Sequence, residues 1–240
     1  MTTEARLEIV IDVAKLPGRG QAVSGDTVEV IERPAGGISI VMADGEGTGS
    51  QAKSLSMFVA HRAIEELSRG TKDGIAARAV GDALYATREG EGSAALVILS
   101  ADVPAKTVVI SRNSKGPVLV KTPKEILVYE EDVPLLGTKE ILKPNIYTVP
   151  MSEGTFAVAF TEGVLRAGEA SGAAWTTKDI MTAVEGAVGQ STGSVAQAVM
   201  DAAIARDGGT PQLDMTVVML SVCAPLPDGE ARTMTVRMPV

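Results

Sequence analysis

The sequence predicts an α+β fold, a four-layer α/β/β/α sandwich of two mostly antiparallel sheets flanked by helix pairs. Helical patterns occur in two pairs, and the segments around them have the lengths and turn residues of short strands. Because strands and helices do not alternate one for one, the order excludes a doubly wound parallel sheet. The 240 residues contain no internal repeat and no low-complexity linker, so we expect one domain over 1–240.

The first part of the chain supplies strands, then a helix pair, then further strands. The first predicted strands are 5–13, 26–33 and 37–43, the last two joined by a hairpin at 34–37. The helices are 50–69 and 73–89, and the first has an apolar face that includes Ala52, Leu55, Val59, Ala63 and Leu67. The strands that follow are 93–99, 106–112, 118–121 and 126–129. Their regular spacing favours an antiparallel meander.

The second part of the chain is predicted to contain a strand, then a pair of helices, then a final strand. A strand is predicted at 155–160, followed by helices at 177–189 and 194–206. The segment 215–222 is continuously apolar, which predicts a central strand covered on both faces. The tail at 233–238 has the pattern of an edge strand that Pro239 would end.

Composition excludes several classes of protein. A net charge of −8 and a pI of about 4.8 argue against a general nucleic-acid binder. The one cysteine, Cys223, excludes an internal disulfide, and no zinc-ligand spacing occurs. The first residues show no signal-peptide pattern, and no apolar run approaches the roughly 20 residues that span a bilayer. We therefore expect a cytoplasmic protein whose partners are neither nucleic acid nor membrane.

Four acidic residues lie beside turns or strand ends, far apart in the sequence: Asp26, Asp44, Glu162 and Asp214. Asp44 ends an apolar strand and opens the glycine-rich turn 44–49. Hard cations such as Mg²⁺ and Mn²⁺ are held by carboxylates and backbone carbonyls on rigid elements. Carboxylates in such positions are what a two-metal site needs to activate water for attack on phosphorus. For each residue taken alone, a turn or a surface charge is the alternative interpretation.

The motifs around these acids form an ordered series. They are Ser24-Gly25-Asp26, Asp44-Gly45-Glu46-Gly47-Thr48-Gly49, Thr161-Glu162-Gly163-Val164 and Leu213-Asp214-Met215-Thr216. This series resembles the successive motifs of PPM-type metal-dependent serine/threonine protein phosphatases. It is most similar to the bacterial SpoIIE-type branch, whose members regulate sporulation and stress sigma factors. The resemblance extends over about 20–222 and implies the same α/β/β/α sandwich.

The resemblance also implies roles for individual residues. Asp44 would bridge two Mn²⁺ or Mg²⁺ ions and position the nucleophilic water, and Gly45 would supply a carbonyl ligand. Asp26 and Glu162 would complete the site, and Asp214 is the acid that remains in the fourth motif. The implied substrate is phosphoserine or phosphothreonine on a regulatory protein, by analogy one of the anti-anti-sigma class.

Two positions depart from the family pattern. Position 162 is Glu where the family has Asp, and Leu213 stands where the family has the first, metal-binding acid of the fourth motif. Adjacent strand residues point to opposite faces, so Asp214 replaces that acid only if the strand bulges. Two functions therefore stay open. One is a phosphatase with two ions or one, and the other is a weak or silent phosphatase-fold module that binds a protein partner.

Other features of the sequence leave further alternatives. Lys53, Arg62 and Lys115 are candidates for contact with a substrate phosphate, and the sequence does not choose among them. The glycine pattern at 45–49 lacks the Lys-Ser/Thr ending of a P-loop, so no nucleotide loop is expected there. An N-terminal nucleophile hydrolase beginning at Thr2 would share the four layers. It would leave the acidic motifs unexplained.

Overall fold

Two five-stranded antiparallel sheets lie face to face in a computed structural model that describes residues 7–187, 194–225 and 232–237. The first sheet has the order β1-β10-β9-β6-β7, with β1 at Glu8–Leu16, β10 at Met215–Cys223, β9 at Phe156–Phe160, β6 at Val118–Lys121 and β7 at Ile126–Tyr129. The second has the order β2-β3-β4-β5-β8, with β2 at Asp26–Glu32, β3 at Gly37–Gly45, β4 at Ala94–Asp102, β5 at Thr107–Asn113 and β8 at Asn145–Pro150.

The helices form the two outer layers. Helices α1 (Gly49–Ser68) and α2 (Asp73–Arg88) pack on the second sheet. Helices α4 (Thr177–Ala187) and α5 (Val195–Arg206) pack on the first, and a single turn, α3 (Glu162–Leu165), follows β9 directly. The expected α/β/β/α sandwich is confirmed. In the described ranges no helix combines the length and the apolar character needed to cross a membrane.

Side chains along the central strands point alternately to the two faces of each sheet, and this alternation forms three apolar layers. In β3, Ile40 and Met42 face the other sheet, whereas Val41 and Ala43 face the helices. In β10, which lies between β1 and β9, the same alternation sends Val217 to the helices. A strand buried on both faces needs apolar residues at every position, which explains the continuous apolar runs in the sequence. The prediction of a covered central strand at 215–222 is confirmed.

The structure corrects two predictions about strands. The expected meander is divided, because β4 and β5 belong to one sheet while β6 and β7 pair within the other. The described tail residues 232–237 form no strand, and Met234 and Val236 stay exposed at 73% and 82%, so no apolar face holds that segment. Met238, Thr2 and the last two residues of the helix expected at 177–189 lie outside the described residues.

Two elements have no counterpart among the predictions. Strand β8 is an edge strand that ends at Pro150, with side chains alternately exposed, so its apolar signal is weak. Helix α3 is only four residues long, too short for a helical period to show in the sequence. Because α3 begins at Glu162, that carboxylate lies at a helix N-terminus and not on the strand itself.

Candidate metal centre

Asp26 and Asp44 lie directly opposite each other at one end of the sandwich. Asp26 begins β2, Asp44 is the penultimate residue of β3, and the antiparallel register pairs them. Asp44 is on the same face of β3 as Ile40 and Met42, which face the other sheet. The two carboxylates therefore lie close together at the end of the gap between the sheets.

The Asp26 carboxylate is buried between the two sheets, with only 1% of the residue exposed. Its Oδ2 accepts hydrogen bonds from the Thr216 hydroxyl at 2.6 Å and the Thr161 hydroxyl at 3.1 Å. Thr216 belongs to β10 of the first sheet and Thr161 directly follows β9 of that sheet, whereas Asp26 belongs to the second sheet. Within the described residues, Oδ1 of Asp26 is buried and has no hydrogen-bond partner. A buried acceptor without a partner is costly, so this atom is suited to a ligand.

Burial and neighbouring carboxylates disfavour ionisation of both members of the pair. Burial, the Asp26 carboxylate and the Glu162 carboxylate together raise the pKa of Asp44 to about 8. Burial and the charge of Asp214 raise the pKa of Asp26, against the lowering effect of the two threonine hydroxyls. Because like charges so close cannot both ionise easily, a divalent cation between the carboxylates would relieve the repulsion.

A cavity of about 350 Å³ opens at Asp44, the partner of the buried Asp26. Its lining includes Asp44, Gly45, Glu162, Leu213 and Asp214. The described residues contain no cluster of three or more His, Cys, Asp or Glu side chains close enough together to hold a metal ion. The donors that are present, the Asp44 carboxylate, the free Oδ1 of Asp26 and the Gly45 carbonyl, are the oxygen ligands that a hard cation takes. These donor types suit a divalent cation, and Glu162 lines the same cavity.

Two glycines of the motifs are required by close packing. A Cβ on Gly45 would lie 2.3 Å from the carbonyl oxygen of Ala52 in α1, so only glycine lets β3 approach that helix. A Cβ on Gly163 would lie 2.0 Å from the carbonyl oxygen of Asp214. The first glycine sets the position of Asp44 against α1, and the second brings α3, with Glu162, against the start of β10.

Asp214 lines the cavity, but both of its carboxylate oxygens accept hydrogen bonds from backbone N–H groups. Its Oδ1 accepts the N–H of Gly18 at 2.7 Å, and its Oδ2 accepts the N–H of Gly25 at 2.7 Å. The neighbouring Leu213 is 37% exposed and lines the cavity. An apolar side chain therefore occupies the place where the resemblance implies an acid. The assignment of Asp214 as a metal ligand stays a prediction.

The structure distinguishes the three basic residues that were candidates for contact with a substrate phosphate. Lys115 lines the cavity, whereas Lys53 donates to the backbone oxygen of Asp26 at 2.7 Å and Arg62 pairs with Glu65 at 2.6 Å on the outer face of α1. Sequence reasoning missed two cavity-lining cations, Arg19 and Arg166. Because α3 is a single turn, the sequence carries no helical pattern that would have indicated Arg166.

Further residues hold the loops around the cavity. The Glu46 carboxylate accepts the Ser93 N–H at 3.0 Å and the Ser93 hydroxyl at 2.8 Å, which fixes the glycine-rich turn to the start of β4. Arg112, 1% exposed, donates to the carbonyl oxygens of Gly116 at 3.0 Å and Glu131 at 2.7 Å. Its buried guanidinium thereby fixes the turn that presents Lys115. Neither role follows from a motif, because each depends on distant loops that meet only in the fold.

The model of the family described as Stage II sporulation protein E (SpoIIE) matches residues 34–222 of this chain. This range contains the second, third and fourth acidic motifs. A search of curated proteins found no match.

Solved structures with the same fold include several phosphatases. One is the PP2C phosphatase domain of SpoIIE from Bacillus subtilis with a fragment of its regulatory domain, at 18% identity and a TM-score of 0.76. The match covers 92% of this chain and 65% of that one, so this chain spans less than two thirds of its length. A second is RsbX in complex with magnesium, at 15% identity and a TM-score of 0.67, with 91% and 99% of the two chains covered. A third is the catalytic domain of the serine/threonine protein phosphatase PstP with two manganese ions, at 16% identity and a TM-score of 0.67, with 91% and 100% covered. At these identities the likeness shows the fold.

Proposed function

Because this chain belongs to the SpoIIE family of PPM-type phosphatases, we propose that it removes phosphate from phosphoserine or phosphothreonine of a regulatory protein, with Mn²⁺ or Mg²⁺ as cofactor. The observation that carries the proposal is the pair Asp26 and Asp44, opposite each other, with Asp44 lining an open cavity. Burial and neighbouring carboxylates raise the pKa of both groups, so a cation would stabilise their ionised forms. The Mg²⁺ and Mn²⁺ in the solved structures of RsbX and PstP support the choice of ion for this chain.

Asp44, Asp26 and the Gly45 carbonyl would hold the cation, with Glu162 as a further ligand at the cavity edge. The bound ion would supply Lewis-acid polarisation of phosphoryl oxygens and activation of water. Thr161 and Thr216 keep the buried Asp26 oriented, so that its free Oδ1 stays directed to the ligand position. With Leu213 in the place of an acid, we propose that a single ion binds tightly.

The remaining groups of the cavity would bind and orient the substrate. Arg19, Lys115 and Arg166 give the otherwise acidic cavity positive charges at its wall, suited to phosphoryl oxygens. The cavity is open to the surface at a strand end, so a phosphorylated side chain on another protein can enter it. The names of the relatives, RsbX and SpoIIE, support a regulatory phosphoprotein in bacterial stress or sporulation signalling, such as an anti-anti-sigma-like protein. We further propose that the protein acts in the cytoplasm.

The test is hydrolysis of p-nitrophenyl phosphate and of phosphoserine and phosphothreonine peptides, with and without Mn²⁺. We expect metal-dependent turnover in the wild type and at least about a hundredfold loss in Asp44→Ala. Asp82→Ala removes an exposed carboxylate on α2 that does not line the cavity, and is the matched control. Turnover that is independent of metal, or equal in wild type and Asp44→Ala, would refute the proposal.

A second candidate is a phosphatase-fold module that binds a phosphoprotein without hydrolysing it. Leu213 in the cavity and the engagement of both Asp214 oxygens favour it, because the fourth motif then offers no free carboxylate. This candidate predicts phosphopeptide binding by the wild type without turnover. Metal-dependent turnover by the wild type would exclude it.

A further inference from the structure

We propose that Arg166 has two alternating partners in this site: it pairs with Glu162 while no cation is bound, and it binds a phosphoryl oxygen of the substrate when a cation takes Glu162. The inference rests on the proposed function and names a recognition residue for it. Arg166 directly follows α3, the short helix that begins at Glu162. The residue thus lies one helical turn from a proposed ligand.

The contacts of Arg166 show the first state. Its Nη1 lies 3.4 Å from Oε1 of Glu162, and its Nε donates to Oε2 of Glu169 at 2.7 Å. The Arg166 side chain is 46% exposed and the Glu162 side chain 41% exposed. Ion pairs in such solvent contact contribute little to stability, so the pair with Glu162 can be exchanged at small cost. The contact with Glu169 does not involve a proposed ligand, so it can persist after that exchange and keep the guanidinium near the cavity.

The position of Arg166 distinguishes it from the other two cavity-lining cations. Arg166 lines the 350 Å³ cavity together with Asp44 and Leu213, and it also lines an adjoining cavity of about 390 Å³. Arg19 and Lys115 line only the first of these two cavities. Of the three, Arg166 alone has an ion pair with a proposed metal ligand among the described residues. Its planar guanidinium is also the group that binds phosphoryl oxygens with two parallel hydrogen bonds.

The two roles predict effects of opposite sign when Arg166 is removed. Without Arg166, Glu162 loses a competing positive charge, so Mn²⁺ should bind more tightly. A phosphate on the metal-loaded protein loses a charged donor, so it should bind more weakly. A residue that only stabilises the fold would shift both affinities in the same direction or neither.

The experiment measures both affinities without relying on turnover. Trp175, the one tryptophan of the chain, donates from Nε1 to the carbonyl of Val164 inside α3 at 2.7 Å, so its fluorescence should report Mn²⁺ binding beside Glu162. Calorimetry with inorganic phosphate on the Mn²⁺-loaded protein gives the second affinity. We expect Arg166→Ala to tighten Mn²⁺ binding about threefold and to weaken phosphate binding about tenfold. Arg166→Lys, which keeps the charge, should lie between Arg166→Ala and the wild type.

Arg69→Ala is the matched control, because Arg69 also pairs with two glutamates three and four residues away, on the outer surface of α1. It should leave both affinities unchanged. Unchanged affinities in Arg166→Ala, or two shifts of the same sign, would overturn the inference.

Measurements of turnover distinguish this outcome from failure of the proposed function. An active wild type without the opposite shifts refutes only the role of Arg166, whereas opposite shifts in a protein without turnover refute only the proposed catalysis.

Discussion

The Thr216 hydroxyl donates a 2.6 Å hydrogen bond to Oδ2 of Asp26, and this bond joins β10 of the first sheet to β2 of the second. The contact is fully buried and lies at the level of the candidate metal centre. Threonine in this position therefore orients a carboxylate across the gap between the sheets. Valine has the shape to fit at position 216, but it cannot donate the hydrogen bond to Asp26.

The first prediction concerns that hydrogen bond. Thr216→Val should lower the free energy of unfolding by about 1–3 kcal/mol, because Asp26 loses a donor to its buried oxygen. Urea denaturation of the metal-free protein measures the change. Thr148→Val on the exposed side of β8 is the control and should be nearly neutral. A cost in Thr216→Val no larger than in the control would contradict the role assigned to Thr216.

The second prediction follows from the raised pKa of Asp44. Between its ordinary pKa of 3.8 and its pKa of about 8 in the folded chain, the folded state binds more protons than the unfolded state. The metal-free protein should therefore lose stability as pH rises from 5 to 8, by at most about 1.4 kcal/mol per pH unit for this group. Urea titrations in the presence of a chelator test this. Asp44→Asn should make the free energy of unfolding less dependent on pH. Equal slopes of this free energy against pH in the wild type and in Asp44→Asn would contradict the prediction.

The third prediction links cation affinity to pH. A cation that binds the Asp44 carboxylate must displace its proton below a pKa of about 8. Mg²⁺ affinity should therefore rise by up to about tenfold per pH unit between 6 and 8 and level off above. Calorimetry in buffers of different ionisation enthalpy should detect proton release at pH 7. Mg²⁺ binding without proton release at that pH would show that Asp44 is already ionised.

The fourth prediction concerns the apolar residue in the cavity. Leu213→Asp adds a carboxylate beside Glu162 and should raise Mn²⁺ affinity at least about tenfold. Leu213→Asn adds a polar group of the same size without the charge, and it should give little gain. Because Leu213 is already 37% exposed, its replacement should cost little stability. If both variants bind Mn²⁺ like the wild type, position 213 does not face the ion.

The fifth prediction separates a structural role of Asp214 from ligation. Asp214→Ala should lower the free energy of unfolding by about 2–4 kcal/mol, because the N–H groups of Gly18 and Gly25 both lose a charged acceptor. Asp214→Asn keeps one acceptor oxygen and should cost about half as much. At temperatures where Asp214→Asn is fully folded, its Mn²⁺ affinity should match the wild type. A large loss of affinity there would instead support Asp214 as a ligand.

The sequence was sufficient to predict the two-sheet sandwich. It also singled out Asp26 and Asp44, which the structure pairs across β2 and β3 and whose role as metal ligands stays a prediction. Both acids lie at strand ends, where alternation and glycine turns leave strong local patterns. The surroundings of Asp214 were not predictable, because Gly18 and Gly25 reach it from the other end of the chain. The pair of Arg166 with Glu162 was missed for a different reason: α3 is one turn long, and its helical spacing is invisible without the fold.

The pairing of β1 with β10 has a consequence for synthesis of the protein. These strands come from opposite ends of the described chain, yet they are neighbours in the first sheet along their full length. During synthesis, β1 has no partner strand until β10 and all the residues between the two strands have emerged from the ribosome. Pairings this distant in sequence form slowly and leave strand edges exposed meanwhile. The nascent chain should therefore depend on chaperones until β10 is released.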